Sequence, residues 1–288
     1  SVYLSIAQLG QGHETAMAQI CADALHVPMD AISVFHGNTD LSPFGWGTFA
    51  SRGTVMAGNA VHLTALQLKD KILEAAARHL EVDATSLELE SGTIVQPKTK
   101  AASLPLGELV TRMRESIDPE QGVPELEATA YYNSNNITHT YGVHLAHVAV
   151  DPETGVLEVL KYLVVEDVGR VVNPMMVRGQ TVGAAVQGIG GVVLEELVYG
   201  EGGQLLTTTF MDYLLPTSTD VPPIDDLVLE EAPSPYNPLG VKGAGEGGIV
   251  GTAGALGNAV SNALGIEIRD LPLSPDRIRA WIRAREQA

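Results

Sequence analysis

Apolar positions recur at helical spacing in two stretches near the start of the chain. Met17, Ile20, Cys21, Ala24 and Leu25 share one face of a predicted helix over 14–26, and Val61, Ala65, Leu68, Ile72, Ala76 and Leu80 do so over 58–80. A glycine-bearing turn precedes each, so the two helices are expected to build one unit. β-rich composition and alternation predict strands at 2–8, 32–36, 87–90, 93–96, 126–132, 141–151 and 156–166. Asp151-Pro152-Glu153-Thr154-Gly155 between the last two reads as a hairpin turn, because Asp, Pro and Gly each favour turn geometry.

Leu104 to Asp118 predicts a short amphipathic helix, and the polar stretch 118–124 a surface connection. A subdomain boundary is placed there, giving 1–120 and 121–288. From 174 to 197 the chain is rich in small residues, which lets a helix pack closely despite the propensity cost of glycine. Gly200-Glu201-Gly202-Gly203 predicts a second hairpin. Prolines from Pro216 to Pro238 mark an irregular passage, followed by helices at 249–264 and 275–287. No repeat of fixed period is visible.

Composition narrows the class. The 288 residues are 45% hydrophobic and 18% charged, as in globular chains, and no run is apolar enough to span a bilayer. The opening residues show no basic segment or cleavage motif of a secretory leader, so a cytoplasmic location is expected. Opening directly in strand-like alternation points to a separately encoded subunit or a piece of a longer polypeptide. With 17 Lys and Arg against 35 Asp and Glu, the net charge of −18 argues against a nucleic-acid partner. A bound anion would be held by backbone N–H groups. The single cysteine, Cys21, excludes an internal disulfide, a four-thiolate zinc site and a self-contained iron–sulfur cluster, and its neighbours on the helix face predict core packing.

One acid stands out. Glu246 lies in Gly243-Ala244-Gly245-Glu246-Gly247-Gly248, where every neighbour is Gly or Ala and the backbone can approach a ligand closely. The tract spells G-x-G-x-x-G, but that dinucleotide fingerprint needs a strand just before it. Pro235-Tyr236-Asn237-Pro238 cannot supply a central parallel strand, which sets the nicotinamide-nucleotide reading aside. There is no P-loop and no G-x-S-x-G elbow. His144 and His147 fall on opposite faces of their strand, which disfavours a zinc pair.

Two further glycine segments precede helices: Gly10-Gln11-Gly12-His13-Glu14-Thr15 and the run from Gly45 through Thr48, Ser51 and Gly53 to Thr54. Helix N-termini favour anions through free N–H groups and the macrodipole. Taken singly, each segment also serves as an ordinary cap and turn.

Taken together with Gly179-Gln180, Val186-Gln187-Gly188, Thr209-Phe210-Met211-Asp212-Tyr213 and Gly240-Val241-Lys242-Gly243-x-Gly245-Glu246, they resemble one family in order and approximate spacing. The sequence is similar to the C-terminal half of the molybdopterin-binding large subunits of the xanthine dehydrogenase, aldehyde oxidase and aerobic carbon monoxide dehydrogenase group. The resemblance implies an α+β fold of two subdomains, with mixed sheets and flanking helices, closing around an elongated cofactor. It implies a molybdenum hydroxylase that oxidises an aldehyde or N-heterocycle with water as the oxygen source. The alternative is a non-catalytic cofactor-binding or scaffold fragment of such a complex.

The resemblance also assigns roles. Molybdenum is held by the pterin dithiolene, in bacteria often as the cytosine dinucleotide, so no protein metal ligands are needed. Gln11 and Gly12 would lie near the molybdenum ligands. Thr48, Ser51 and Thr54 would contact the pterin and phosphates, with Gln187, Lys242 and Gly243 as further contacts. Glu246 matches the catalytic glutamate, a base removing the proton from a molybdenum-bound hydroxide, its pKa tuned by partial burial. Electrons would leave through iron–sulfur clusters and FAD on partner chains. The family's first half, with a Gly-Phe-Gly loop and the substrate-pocket loop, is not in this sequence, which implies that it comes from a partner chain or from residues outside this sequence. Gly53, and Gly247-Gly248, stand where relatives carry bulkier residues, implying a roomier pocket beside Glu246.

Overall fold

The structure is a computed structural model that describes all residues except 43, 99–102, 116–125, 230–231 and 288. The chain forms two compact units, one of Ser1–Ile137 with Pro235–Val241 and the other of Thr138–Ser234 with Lys242–Ala288. The boundary expected at 120/121 and the whole of the 118–124 connection lie outside the described residues.

In the first unit, α1 (His13–Leu25) packs on α2 (Asn59–Leu80) through Met17, Ile20, Val61, Ala65, Ile72 and Ala76, all buried. Fully burying side chains such as Met17 and Ile72 contributes about 1.5–3 kcal/mol each. Gly12 opens α1 in the left-handed conformation, Glu14 in the first turn complements the macrodipole, and His26 closes the helix with its N–H on the Ala22 carbonyl. A π-helical turn, Thr54–Gly58, leads into α2. Two short strands, β1 (Val2–Tyr3) and β2 (Val34–Phe35), pair in parallel. β3 (Glu88–Glu90), β4 (Thr93–Val95) and β5 (Ser103–Pro105) form an antiparallel sheet whose Leu89, Ile94 and Leu104 are buried, and α3 (Leu106–Glu115) follows. Residues 235–241 return to this unit. Asn59, fully buried, donates from Nδ2 to the Val55 carbonyl and to Asn237 Oδ1, and its Oδ1 accepts from the Leu239 N–H at 3.0 Å.

The second unit is built on a sheet in the order β6 (Tyr141–Val150), β7 (Leu157–Asp167), β8 (Ile224–Leu229), antiparallel then parallel. One face packs against α4 (Pro174–Val193), α6 (Thr252–Leu264) and α7 (Pro275–Glu286), around Tyr162, Val164, Ala185, Ile189, Leu256, Val260, Leu273 and Ile278. Asn173 caps α4 by accepting from the Met176 N–H, with Pro174 at the first helical position. The β6–β7 turn is the expected Asp151–Gly155 loop, where Asp151 accepts from Glu153 N–H and Thr154 Oγ1. These bonds hold the exposed Asp151 carboxyl below the usual range.

Several expected elements differ. The strand over 2–8 is limited to Val2–Tyr3, and 126–132 is not a strand. The 104–118 helix begins at Leu106, after Leu104 has joined β5. The second hairpin forms around Gly200–Gly203 as expected, but short, with one bridge between Tyr199 and Leu205 and the Leu206 N–H on the Val198 carbonyl. The proline-marked passage contains β8. The helix expected from 249 begins at Gly247 as α5 (Gly247–Val250) and restarts at Thr252 after Gly251. No described helix is long and apolar enough to cross a membrane.

Candidate functional site

The first unit brings two of the three glycine segments into contact. Thr48 Oγ1 donates to the Ala7 carbonyl at 2.7 Å, just before the Gly10–Gly12 turn. A Cβ at Gly53 would stand 2.5 Å from His13 Nε2, so only glycine lets this loop rest on the imidazole that starts α1. Burial, and secondarily His36, push the His13 pKa down. Gln11 folds back onto its own loop. Its Nε2 donates to the Ala7 carbonyl and to His13 Nδ1, each at 3.0 Å, and its Oε1 accepts from the Leu9 N–H.

The neighbouring backbone is unusual. Ala50 and Ser51 are consecutive left-handed residues, φ 52° and 50°, which costs an L side chain about 1–2 kcal/mol per residue. Such strain persists where the surroundings impose it, often at ligand-binding loops. Gly10 and Gly47 also have positive φ, with no atom within 4 Å of where a Cβ would be, so their backbone stays open to close approach. Arg52 stacks its guanidinium 5.0 Å from the Phe49 ring and 6.0 Å from Trp46. Thr54 begins the π-helical turn.

The second unit carries the rest of the predicted set. Lys242 Nζ donates to Asp167 Oδ2 at 2.6 Å and lies 5.6 Å from the Tyr141 ring, while its N–H donates to the Val168 carbonyl. The Gly243 carbonyl accepts from Thr140 Oγ1. Gln187 is on the exposed face of α4. Glu246 stands immediately before α5 with φ −114° and is exposed, in contrast to the partial burial expected of it. Among the described residues no strand runs directly into the Gly243–Gly248 tract, as the prolines required.

The loop that carries Glu246 is fastened from beneath. His144 Nε2 is 3.1 Å from the Gly247 carbonyl and Thr252 Oγ1 donates to the Gly248 carbonyl at 3.2 Å. The space expected to widen the pocket is filled: a Cβ at Gly247 would collide with Glu166 Oε2, and one at Gly248 with the Thr181 carbonyl and Ala184 of α4. At Gly53 the His13 ring does the same. The glycines serve close packing here.

Sequence reasoning missed two polar side chains. Glu166 on β7 is 1% exposed; Thr181 Oγ1 donates to its Oε1, and burial pushes its pKa up. Its Oε2 has no hydrogen-bond partner in the structure. In the sequence His144 reads only as an improbable metal ligand. It faces the loop, and His147 is exposed on the other face of β6. Helix α5 returning over the β6–β7 pair, a long-range arrangement, is what gives these residues their place. Among the described residues no group of three or more His, Cys, Asp or Glu could hold a metal ion.

Comparison with known proteins supplies the context. A family model described as a molybdopterin cofactor-binding domain matches residues 1–222, ending ahead of Glu246. The gamma subunit of the 6-hydroxypseudooxynicotine dehydrogenase complex of Paenarthrobacter nicotinovorans is 40% identical over 273 residues, covering 94% of this chain and 34% of that protein. The carbon monoxide dehydrogenase large chain of Afipia carboxidovorans is 34% identical, with the same coverages of 94% and 34%. Among solved structures, a Cu,Mo-CO dehydrogenase superposes with a TM-score of 0.88 at 32% identity, over 98% of this chain and 36% of that one. Quinoline 2-oxidoreductase from Pseudomonas putida 86 gives 0.86 at 36% identity, again over 98% and 36%. The chain thus spans about a third of the length of these relatives, less than the half expected.

Proposed function

The chain belongs to the molybdopterin cofactor-binding domain family, and from that premise we propose that it is part of a molybdenum-dependent hydroxylase acting on an aldehyde or N-heterocycle, with oxygen from water. The observation that carries this reading is Glu246, an exposed carboxylate on a loop of Gly and Ala held from below by His144 and Thr252. No neighbouring side chain on that loop competes for the approach of a reacting group.

The residues present fit a polyanionic pterin cofactor. In the first unit the turns at Gly10 and Gly47 leave backbone open, and the strained Ala50-Ser51 pair adjoins them in sequence. Such turns hold phosphate by N–H donation without needing a basic surface. Gln11, Gly12, Thr48, Ser51 and Thr54 are the proposed contacts in this unit. Gln187 and Gly243 are those of the second, with Lys242 fixing the chain that presents Gly243. The cytosine dinucleotide is the proposed form of the cofactor.

When bound, the cofactor supplies molybdenum for a two-electron oxidation. Glu246 accepts a proton on its carboxylate, work that needs a base held within hydrogen-bond reach and typically contributes about 10²–10⁴ in rate. Electrons would pass to iron–sulfur clusters and FAD on partner chains, and the remainder of the molybdenum subunit would complete the substrate pocket. A cytoplasmic location is part of the proposal.

The decisive experiment replaces Glu246 by Gln in the full-length subunit within its complex. Turnover of nicotine, quinoline or benzaldehyde with a dye acceptor should fall at least about 100-fold, with molybdenum and pterin content unchanged. Parent-level turnover would remove Glu246 from the role of base and favour the non-catalytic scaffold reading.

A further inference from the structure

The side of the Glu246 loop that faces the sheet is held by a hydrogen-bond chain that the proposed chemistry does not itself require. His144 sits on β6 opposite Val164 of β7, and its two ring nitrogens face different partners. Nε2 lies 3.1 Å from the Gly247 carbonyl, which can only accept, so Nε2 carries the hydrogen. Nδ1 lies 2.8 Å from the hydroxyl of the fully buried Tyr162 and therefore accepts from it. One tautomer of a neutral imidazole satisfies both bonds, and burial favours the neutral ring.

Packing leaves the ring little freedom. A Cβ at Gly251 would fall 2.5 Å from His144 Cδ2, so the gap between α5 and α6 is shaped to the imidazole, which also meets Tyr162 edge-on with ring centroids 5.8 Å apart. On the other side of Gly247 stands the Glu166 carboxyl, against which any side chain at 247 would collide. The residue next to Glu246 is thus bonded through its carbonyl to one sheet residue and sterically limited by another.

We propose that His144 is the positioning residue for Glu246, setting the height and direction of the carboxylate through the Gly247 carbonyl, with Tyr162 fixing the tautomer that can do so. The assignment of Glu246 as base, on which this rests, is tested separately by its Gln variant. His144 acts through the backbone and touches no reacting atom.

The test uses the full-length subunit in its complex. His144→Leu keeps bulk and removes the donor; His144→Gln restores an N–H donor; Tyr162→Phe removes only the hydroxyl that selects the tautomer. With nicotine, quinoline or benzaldehyde, His144→Leu is expected to lower kcat about 10-fold or more with KM within about twofold, a loss confined to the transition state. His144→Gln should recover most of kcat, and Tyr162→Phe should fall between. Hydrogen exchange at residues 244–250, read by mass spectrometry on the resting protein, should quicken about 10-fold in His144→Leu and remain at the parent rate in His144→Gln. Parent kcat and parent exchange in His144→Leu would overturn the proposal, as would equal losses in the Leu and Gln variants. If His144→Leu does not fold, Tyr162→Phe with unchanged exchange and kcat overturns it. If Glu246→Gln keeps full turnover, the base assignment falls, while exchange still decides whether His144 holds the loop.

Discussion

Lys242 and Asp167 form an ion pair at 2.6 Å with each side chain only about a tenth exposed, at 10% and 11%. A charge that far from water is costly alone and tolerable when paired, so the bond is worth most when one partner is removed. Asp167 also accepts from the Gly169 N–H at 2.8 Å in the turn after β7, and the Lys242 N–H donates to the Val168 carbonyl at 2.9 Å, so side chain and backbone together tie the end of β7 to the start of the glutamate tract.

Lys242→Ala should therefore destabilise the protein by about 3–5 kcal/mol, because it leaves the Asp167 carboxylate buried without its cation. The double change Lys242→Met with Asp167→Leu should recover much of that loss. Urea unfolding of the three variants measures both, and equal losses in single and double variants would show that the pair is not the source.

Gly248→Ala places a methyl group against the Thr181 carbonyl and the Ala184 side chain, where backbone cannot yield cheaply. The expected cost is about 1–3 kcal/mol, from overpacking between α5 and α4. Gly254→Ala, on α6 with open space around it, should be neutral or slightly stabilising in the same assay.

Glu166 makes stability depend on pH with a defined sign. Its carboxyl pKa is raised by burial, the Thr181 hydrogen bond opposing only in part. Well below the ordinary carboxyl range both native and unfolded chains hold the proton, and the neutral acid makes its full contribution. As pH climbs from that range to the raised native value, the unfolded chain releases the proton first, and stability falls by up to ~1.4 kcal/mol per pH unit. Unfolding of the parent and of Glu166→Gln at mildly acid and at neutral pH should show the parent losing ground to the variant. A constant difference between them would count against a neutral Glu166.

Cys21 lies in the core of the first unit, 5% exposed, and burial pushes its thiol pKa up. Little thiolate forms and little reaches solvent, so alkylation by iodoacetamide at mildly alkaline pH should be slow in the native protein and fast in urea. Rapid labelling without unfolding would place the thiol elsewhere.

The sequence carried the elements whose stability is local. α1 and α2 follow the helical spacing of Met17 to Leu25 and Val61 to Leu80, and the β6–β7 hairpin follows its Asp151–Gly155 turn. β8 was hidden for a physical reason: Asp225 and Asp226 interrupt its apolar pattern among prolines. Their charges are met by Lys161 of β7 at 2.7 Å and by Arg178 of α4, partners far away in sequence. The same holds at the candidate site. The glycine loop singles out Glu246 and the family resemblance names Gln11 and Ser51, but neither Glu166 nor His144 is marked by its neighbours. Their significance arises from α5 lying against the sheet, and that is tertiary information.

Asn59 carries a consequence for biosynthesis. Its buried carboxamide takes hydrogen bonds from and to residues 237 and 239, which leave the ribosome only after the whole β6–β7–β8 segment. Domains that end where they are encoded can close as they emerge. This first unit cannot, because its closing segment, 235–241, follows the whole of the second unit's sheet in the chain. Its helices stay incompletely sealed around Asn59 while the second unit's sheet is being made.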